Sequence, residues 1–248
     1  MTPPLSIEGA AGGSLCVALD WPDPDRCLAV ARRVSPHAAV LKVGLAAFCA
    51  GGAALVAEIG ALRPVFLDLK LLDIPAQVAG AVSAARALGV RYVTAHASGG
   101  APMLEAAVES AGGALDILGV TVLTSLDDAA LASVGVGGGA SAQVDRLAEL
   151  ALGAGACGLV CSTLEVGALR DRFGPRSEGG PLLVVPGARA PGAAGHDQLR
   201  VGPPERARAE GADLVVVGRP ITSASDPAAA AERMAAALAS VVPDRESA

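Results

Sequence analysis

Asp68, Lys70 and Asp73 interrupt an otherwise apolar run, Phe66-Leu67-Asp68-Leu69-Lys70-Leu71-Leu72-Asp73-Ile74-Pro75. Val65-Phe66-Leu67 reads as a buried strand, and Pro75 marks where extended structure must end. Alternation along a strand puts Asp68 and Lys70 on one face and Leu67 and Leu69 on the other, leaving Asp73 in the connecting loop. A protonated lysine held beside a carboxylate can deliver a proton to a developing carbanion. A fixed carboxylate nearby disfavours a bound substrate carboxylate more than the transition state that loses it. Charges at the mouth of a core are costly unless paired, and such clusters are often catalytic. A structural ion pair at a strand end is the competing reading.

The elements that must position these residues follow from hydrophobic periodicity. Short apolar, β-branched runs fall at 15–19, 39–43, 65–69, 92–95, 117–123, 158–161, 182–185 and 214–217. Each is followed by a stretch with helical spacing, such as 24–34 or 75–88. Near-continuous Val/Leu/Ile strands alternating with helices predict a parallel sheet buried on both faces. Eight such units in 248 residues predict one (β/α)8 barrel over 1–248, with 1–13 and 240–248 expected to be flexible tails. An open doubly wound sheet is the main competitor, but the first strand-to-helix turn, Leu19-Asp20-Trp21-Pro22-Asp23, holds no GxGxxG. The glycines at 135–139 follow no strand directly and read as a tight loop before a helix starting near Ser141.

In a barrel the chemistry collects at the C-terminal strand ends. Those ends carry Asp20, Lys42, Asp68 with Lys70, His96, Thr124 with Ser125, and Ser162 with Thr163. The seventh supplies Pro186-Gly187-Ala188-Arg189 and the eighth Gly218-Arg219-Pro220. Glycine and arginine at the last two ends suit an anion such as phosphate, with Gln198 as a neutral donor. The long Gly/Ala/Pro-rich segment 187–200 suits a lid. At the first three ends, opposite charges about 4 Å apart would interact by roughly 4 kcal/mol at an effective dielectric near 20, keeping the lysines protonated and the carboxylates ionised. Mg²⁺ on Asp68 and Asp73 is an alternative, although the intervening lysines already neutralise those oxygens. No His/Cys cluster indicates zinc, and His96 reads as a hydrogen-bonding residue behind the site.

Composition narrows the function classes. A formal charge of −6 without a basic patch argues against nucleic acid, and 2% aromatic content leaves few stacking platforms. The five cysteines lack CxxC or paired Cys/His spacing and read as small buried hydrophobes in a reducing cytosol. No leader-like start and no membrane-length apolar stretch are present, so a cytoplasmic protein is expected.

These motifs together resemble one family, the orotidine 5'-phosphate decarboxylases. The resemblance rests on D-x-K-x-x-D at Asp68, Lys70 and Asp73, with ALD ending at Asp20, KVG beginning at Lys42, and HASGG beginning at His96. LTS ending at Ser125, PGAR ending at Arg189, Asp197-Gln198 and VVGRPIT around Arg219 extend it from Leu15 to Thr222. D-x-K-x-x-D alone is shared with metal-dependent sugar-phosphate relatives.

The resemblance implies a (β/α)8 barrel that converts orotidine 5'-monophosphate to UMP without metal or organic cofactor. It implies a homodimer with active sites at the subunit interface. Lys70 would protonate C6 of the pyrimidine as CO2 leaves, with Asp68 beside the scissile carboxylate. Asp73 would enter from the partner subunit. Asp20 and Lys42 would bind the ribose hydroxyls and orient the catalytic charges, with Lys42 counted among the catalytic residues. Thr124 would meet the pyrimidine edge, Ile74 would join the substrate contacts, and Arg189, Gln198, Gly218 and Arg219 would hold the 5'-phosphate. Three positions depart from the family pattern. Ala76-Gln77 replaces a common Asn-Thr whose threonine holds the ribose, so Gln77 could reach the same hydroxyl or displace it. Leu72 stands for a frequent His, and Val185 for a frequent Thr.

Overall fold

The computed structural model describes residues 13–187, 200 and 202–241. Its strands are β1 (Leu15–Leu19), β2 (Val40–Gly44), β3 (Val65–Leu71), β4 (Tyr92–His96), β5 (Asp116–Val120), β6 (Gly158–Val160), β7 (Leu182–Pro186) and β8 (Leu214–Val217). They form a closed parallel barrel in chain order, with β8 returning to β1 through Cys16 opposite Val216. The expected (β/α)8 architecture is therefore present.

Local chemistry explains where the chain turns. The helix Pro24–Val34 starts where Asp23 caps it, its carboxylate accepting from the Arg26 N–H at 3.0 Å, with Pro24 in the first turn. Arg32 and Arg33 in its last turn complement the helix dipole. The helix buries Cys27, Ala31 and Val34, one stripe at i, i+4 and i+7. The helix Pro75–Ala87 repeats this with Val78, Val82 and Ala85, and its opening proline holds residues 72–74 at the barrel rim.

Strand parity divides the core in two. Val17, Leu41, Leu67 and Val93 belong to the layer between sheet and helices. Their neighbours Cys16, Val40, Phe66, Tyr92, Leu118, Leu182 and Leu214 fill the barrel interior, where the Phe66 and Tyr92 rings meet edge to face at 6.2 Å. Each fully buried Val, Leu or Phe contributes about 1.5–3 kcal/mol, so these layers hold the barrel closed independently of its mouth.

Two sequence expectations need correction. β5 ends at Val120, not at residue 123, because the carbonyls of Val122 and Leu123 accept from the Arg200 guanidinium at 2.8 and 3.1 Å instead of joining the sheet. Cys49 is exposed on the helix Leu45–Gly60, whereas Cys16, Cys27 and Cys161 are buried as expected and Cys157 is half-buried. The expected helix near Ser141 starts slightly earlier, at Gly139. No helix among the described residues is long and apolar enough to cross a membrane. Arg189, Gln198, most of the expected lid and nearly all of both expected tails lie outside the described residues.

Candidate active site

The parity that fills the barrel interior also builds its mouth. Two residues beyond Ala18, Val40 and Phe66, the inward positions become Asp20, Lys42 and Asp68, followed on β3 by Lys70. The four side chains form a continuous chain of charge. Lys42 Nζ donates to Asp20 Oδ1 at 2.7 Å and lies 3.4 Å from Asp68 Oδ2. Lys70 Nζ donates to both Asp68 oxygens, at 2.7 and 2.8 Å. Gly44 is required beside them: a Cβ there would sit 2.1 Å from Asp20 Oδ1 and 3.1 Å from Lys42 Nζ.

Burial and charge act in opposite senses on this array. Burial alone would raise the Asp68 carboxyl. The Lys42 and Lys70 ammonium groups, with hydrogen bonds from Lys70 and Thr94, outweigh it and hold the group below its ordinary value. Burial would likewise lower Lys42, but Asp68 and Asp20 raise it above its ordinary value. The buried pair is therefore ionised at neutral pH. His96, half-buried at the end of β4, is pushed down by burial and by Lys70 while Asp68 acts the other way, which favours the neutral imidazole.

These shifts have a consequence for stability. A carboxyl depressed in the folded state contributes stability that is fully present above its unfolded value, about pH 4, and is lost as pH falls through the lower folded value. Urea midpoints are thus expected to fall as pH drops below about 4, and Asp68→Asn to show a shallower acid limb than wild type. Parallel acid limbs in the two proteins would contradict this coupling.

The charges line a cleft of about 590 Å³. Val120, Val122, Val160 and Val216 form its apolar floor, and Trp21, Leu45 and Leu123 add to its wall. Thr124, Pro186, Gly187, Gly218 and the exposed Arg219 also line it, so polar and cationic groups share the cleft with the Asp/Lys array. Asp20, Lys42, Asp68, Lys70, Thr124, Gly218 and Arg219 are thus brought together as the sequence predicts. Asp73, Ile74 and Gln77 are not. They are exposed outside the cleft, and the Asp73 carboxylate accepts from the adjacent Ile74 N–H at 2.7 Å.

The model of the orotidine 5'-phosphate decarboxylase / HUMPS family matches residues 13–234 of this chain. The chain belongs to that family. An orotidine 5'-phosphate decarboxylase of Anaeromyxobacter sp. (strain K) is 54% identical over 225 residues, covering 90% of this chain and 97% of the relative. One from Thermobifida fusca (strain YX) is 50% identical over 226 residues, covering 90% and 95%. The crystal structure of orotidine 5'-phosphate decarboxylase from Lactobacillus acidophilus superposes with a TM-score of 0.78 at 32% identity, covering 91% of this chain and 99% of that one.

Within this orotidine 5'-phosphate decarboxylase / HUMPS barrel, several residues around the site escaped the sequence reading. Arg200 pairs with buried Glu165, donates to the Val122 and Leu123 carbonyls, and through its own N–H bonds the Thr124 carbonyl at 3.2 Å. Glu165 also accepts from the Ser162 N–H at 2.7 Å, so one buried ion pair ties together the chain after β5 and after β6. Breaking such a pair by removing one partner typically costs about 3–5 kcal/mol. Residues 165 and 200 carry no spacing signal that joins them. Thr94 on β4 was missed because a threonine within a strand usually signifies only β propensity. Trp21 and Leu45, by contrast, could have been found by extending the strand-end survey one or two residues into each loop.

Proposed function

We propose that this protein decarboxylates orotidine 5'-monophosphate to UMP in de novo pyrimidine biosynthesis. The observation that carries the reading is the unbroken Asp20–Lys42–Asp68–Lys70 array in one cleft with Gly218 and Arg219. Orotidine 5'-monophosphate carries a carboxylate on its base and a phosphate on its ribose, which suit an Asp/Lys array and a glycine–arginine pair in the same cleft. The pyrimidine would rest on the valine floor with Thr124 at its edge, while Asp20 and Lys42 take the ribose hydroxyls.

In this reading the C6–carboxylate bond breaks, its electron pair remains on C6, and CO2 leaves. The Lys70 ammonium gives C6 its proton and becomes a neutral amine, which solvent reprotonates after product release. Asp68 stays ionised beside the scissile carboxylate. Loss of CO2 relieves that repulsion, and the fixed ammonium groups stabilise charge developing at C6 without reorganising. Gly218 and Arg219, together with Arg189 and Gln198 from outside the described residues, would hold the 5'-phosphate. Binding energy gained at that distance can serve the chemical step.

The rim around Asp73 supports a homodimer. Leu72 and Ile74 flank it with 57% and 64% of their surfaces exposed, and Leu45 beside the cleft is 56% exposed. Two exposed apolar side chains flanking Asp73 in one short segment suit burial by a second copy, which would carry Asp73, Ile74 and Gln77 into the neighbouring cleft. A cytoplasmic location accords with an enzyme of nucleotide synthesis and with the free cysteines.

The direct test follows loss of orotidine absorbance and appearance of UMP with the purified protein in excess EDTA. Undiminished turnover is expected. Absence of UMP would remove the assignment, and activity that EDTA abolishes and Mg²⁺ restores would favour metal-dependent chemistry on a sugar phosphate.

A further inference from the structure

Among the described residues, Lys70 is the one non-glycine with positive φ, at 51°. It lies where β3 and β4 lose register. Phe66 and Leu67 pair with Tyr92 and Val93, and pairing resumes only at Leu71 opposite Ala95. Asp68, Leu69 and Lys70 on β3 thus stand against Thr94 alone on β4. A bulge of this kind redirects side chains and leaves ladder groups in need of other partners.

The Thr94 side chain supplies the missing partner. It is fully buried, and its Oγ1 accepts from the Lys70 backbone N–H at 2.8 Å while donating to Asp68 Oδ1 at 3.0 Å. One hydroxyl proton and one lone pair account for both bonds. A left-handed backbone is unfavourable for a lysine and persists only where its surroundings impose it. Here the hydroxyl that accepts from the Lys70 N–H also holds the neighbouring carboxylate.

We propose that Thr94 is a positioning residue for the decarboxylation, fixing the Lys70 backbone and the Asp68 carboxylate to each other through a single hydroxyl. The inference rests on the decarboxylase reading for its reaction, but not for the contact itself. During proton transfer the Lys70 ammonium becomes an amine, so its two bonds to Asp68 weaken. The bond from Thr94 does not depend on that proton. It restrains Asp68 through the step, with Lys42 on the other oxygen. Volume alone does not explain the residue, because valine has the same branched shape and greater β propensity.

The test compares Thr94→Val with Thr94→Ser, measuring kcat, KM, UMP affinity and hydrogen exchange at the Lys70 amide. Thr94→Val is expected to lower kcat about 10- to 100-fold, the scale of a small misplacement of a reacting group. Its KM and UMP affinity should stay within about threefold, since binding common to ground and transition states is untouched. Lys70 amide protection should be lost in Thr94→Val and retained in Thr94→Ser, which should keep kcat within about threefold of wild type. Wild-type kcat in Thr94→Val, a protected Lys70 amide in that variant, or equal damage in Thr94→Ser would each overturn the proposal. If Thr94→Val fails to fold, Thr94→Ala is read by the same measures. A wild-type protein that forms no UMP defeats the proposed reaction, and Lys70 amide exchange in wild type and variants still decides the contact.

Discussion

Lys70→Ala is expected to lower kcat for UMP formation by at least about 10⁴-fold, the upper end of what a positioned proton donor supplies. Lys70 is the cation that bonds both Asp68 oxygens, and it lines the cleft with its side chain 30% exposed, within reach of a ligand. Lys42 cannot replace it. Its Nζ is committed to Asp20 at 2.7 Å, its side chain is 9% exposed, and Asp20 and Asp68 hold its proton more tightly than an ordinary lysine's. The variant also leaves Asp68 facing the substrate carboxylate with less compensation, so substrate affinity should fall further than UMP affinity. Single-turnover decarboxylation followed by chromatography of UMP measures the first effect, and competition by UMP separates the second. Turnover near wild type would remove Lys70 from the mechanism.

Mixing Lys70→Ala with Asp73→Ala, each nearly inactive alone, should restore about a quarter of wild-type activity once subunits exchange. The expectation follows from where the residues stand. Lys70 reaches the cleft of its own chain, but Asp73 is exposed outside it, its carboxylate accepting from the adjacent Ile74 N–H. If Asp73 serves the opposite site, a mixed dimer combines an intact Lys70 from one chain with an intact Asp73 from the other at one of its two sites. Random pairing makes half the dimers mixed, hence the fraction. Specific activity followed after brief mild denaturation and refolding of the mixture measures it. Activity no greater than that of the separate variants would place Asp73 on its own chain's site or outside the chemistry.

Much of this arrangement was legible in the residues because strand alternation is rigid. Alternation places Asp68 and Lys70 on one face, and the C-terminal ends of the other barrel strands bring in Asp20, Lys42 and Gly218. That reading failed where backbone bonding departed from the ladder. Val122 and Leu123 look like a continuation of β5, but their carbonyls serve Arg200 from 77 or 78 residues away. The bulge opposite Thr94 leaves no mark in composition, since leucine, lysine and threonine are unexceptional near a strand end. Cys49 was read as buried because its neighbours are apolar, yet it occupies the outward side of its helix. For Asp73, Ile74 and Gln77, alternation is no guide, because they lie beyond the end of β3, in the loop and the first turn of the helix Pro75–Ala87.

The inward rows of the barrel also explain how such a scaffold can change occupation without changing shape. Phe66, Tyr92, Leu118 and Leu214 secure closure lower in the column, while Asp20, Lys42, Asp68 and Lys70 continue the same rows at its mouth. Replacing buried charges by apolar residues of similar volume is often neutral or stabilising. The pairing at Asp68 and Lys42 adds some stability, yet the apolar rows beneath close the barrel without it. New chemistry could be written into those few terminal positions while the rows beneath remain as they are. Screens that reward thermal stability alone would tend to erase them first.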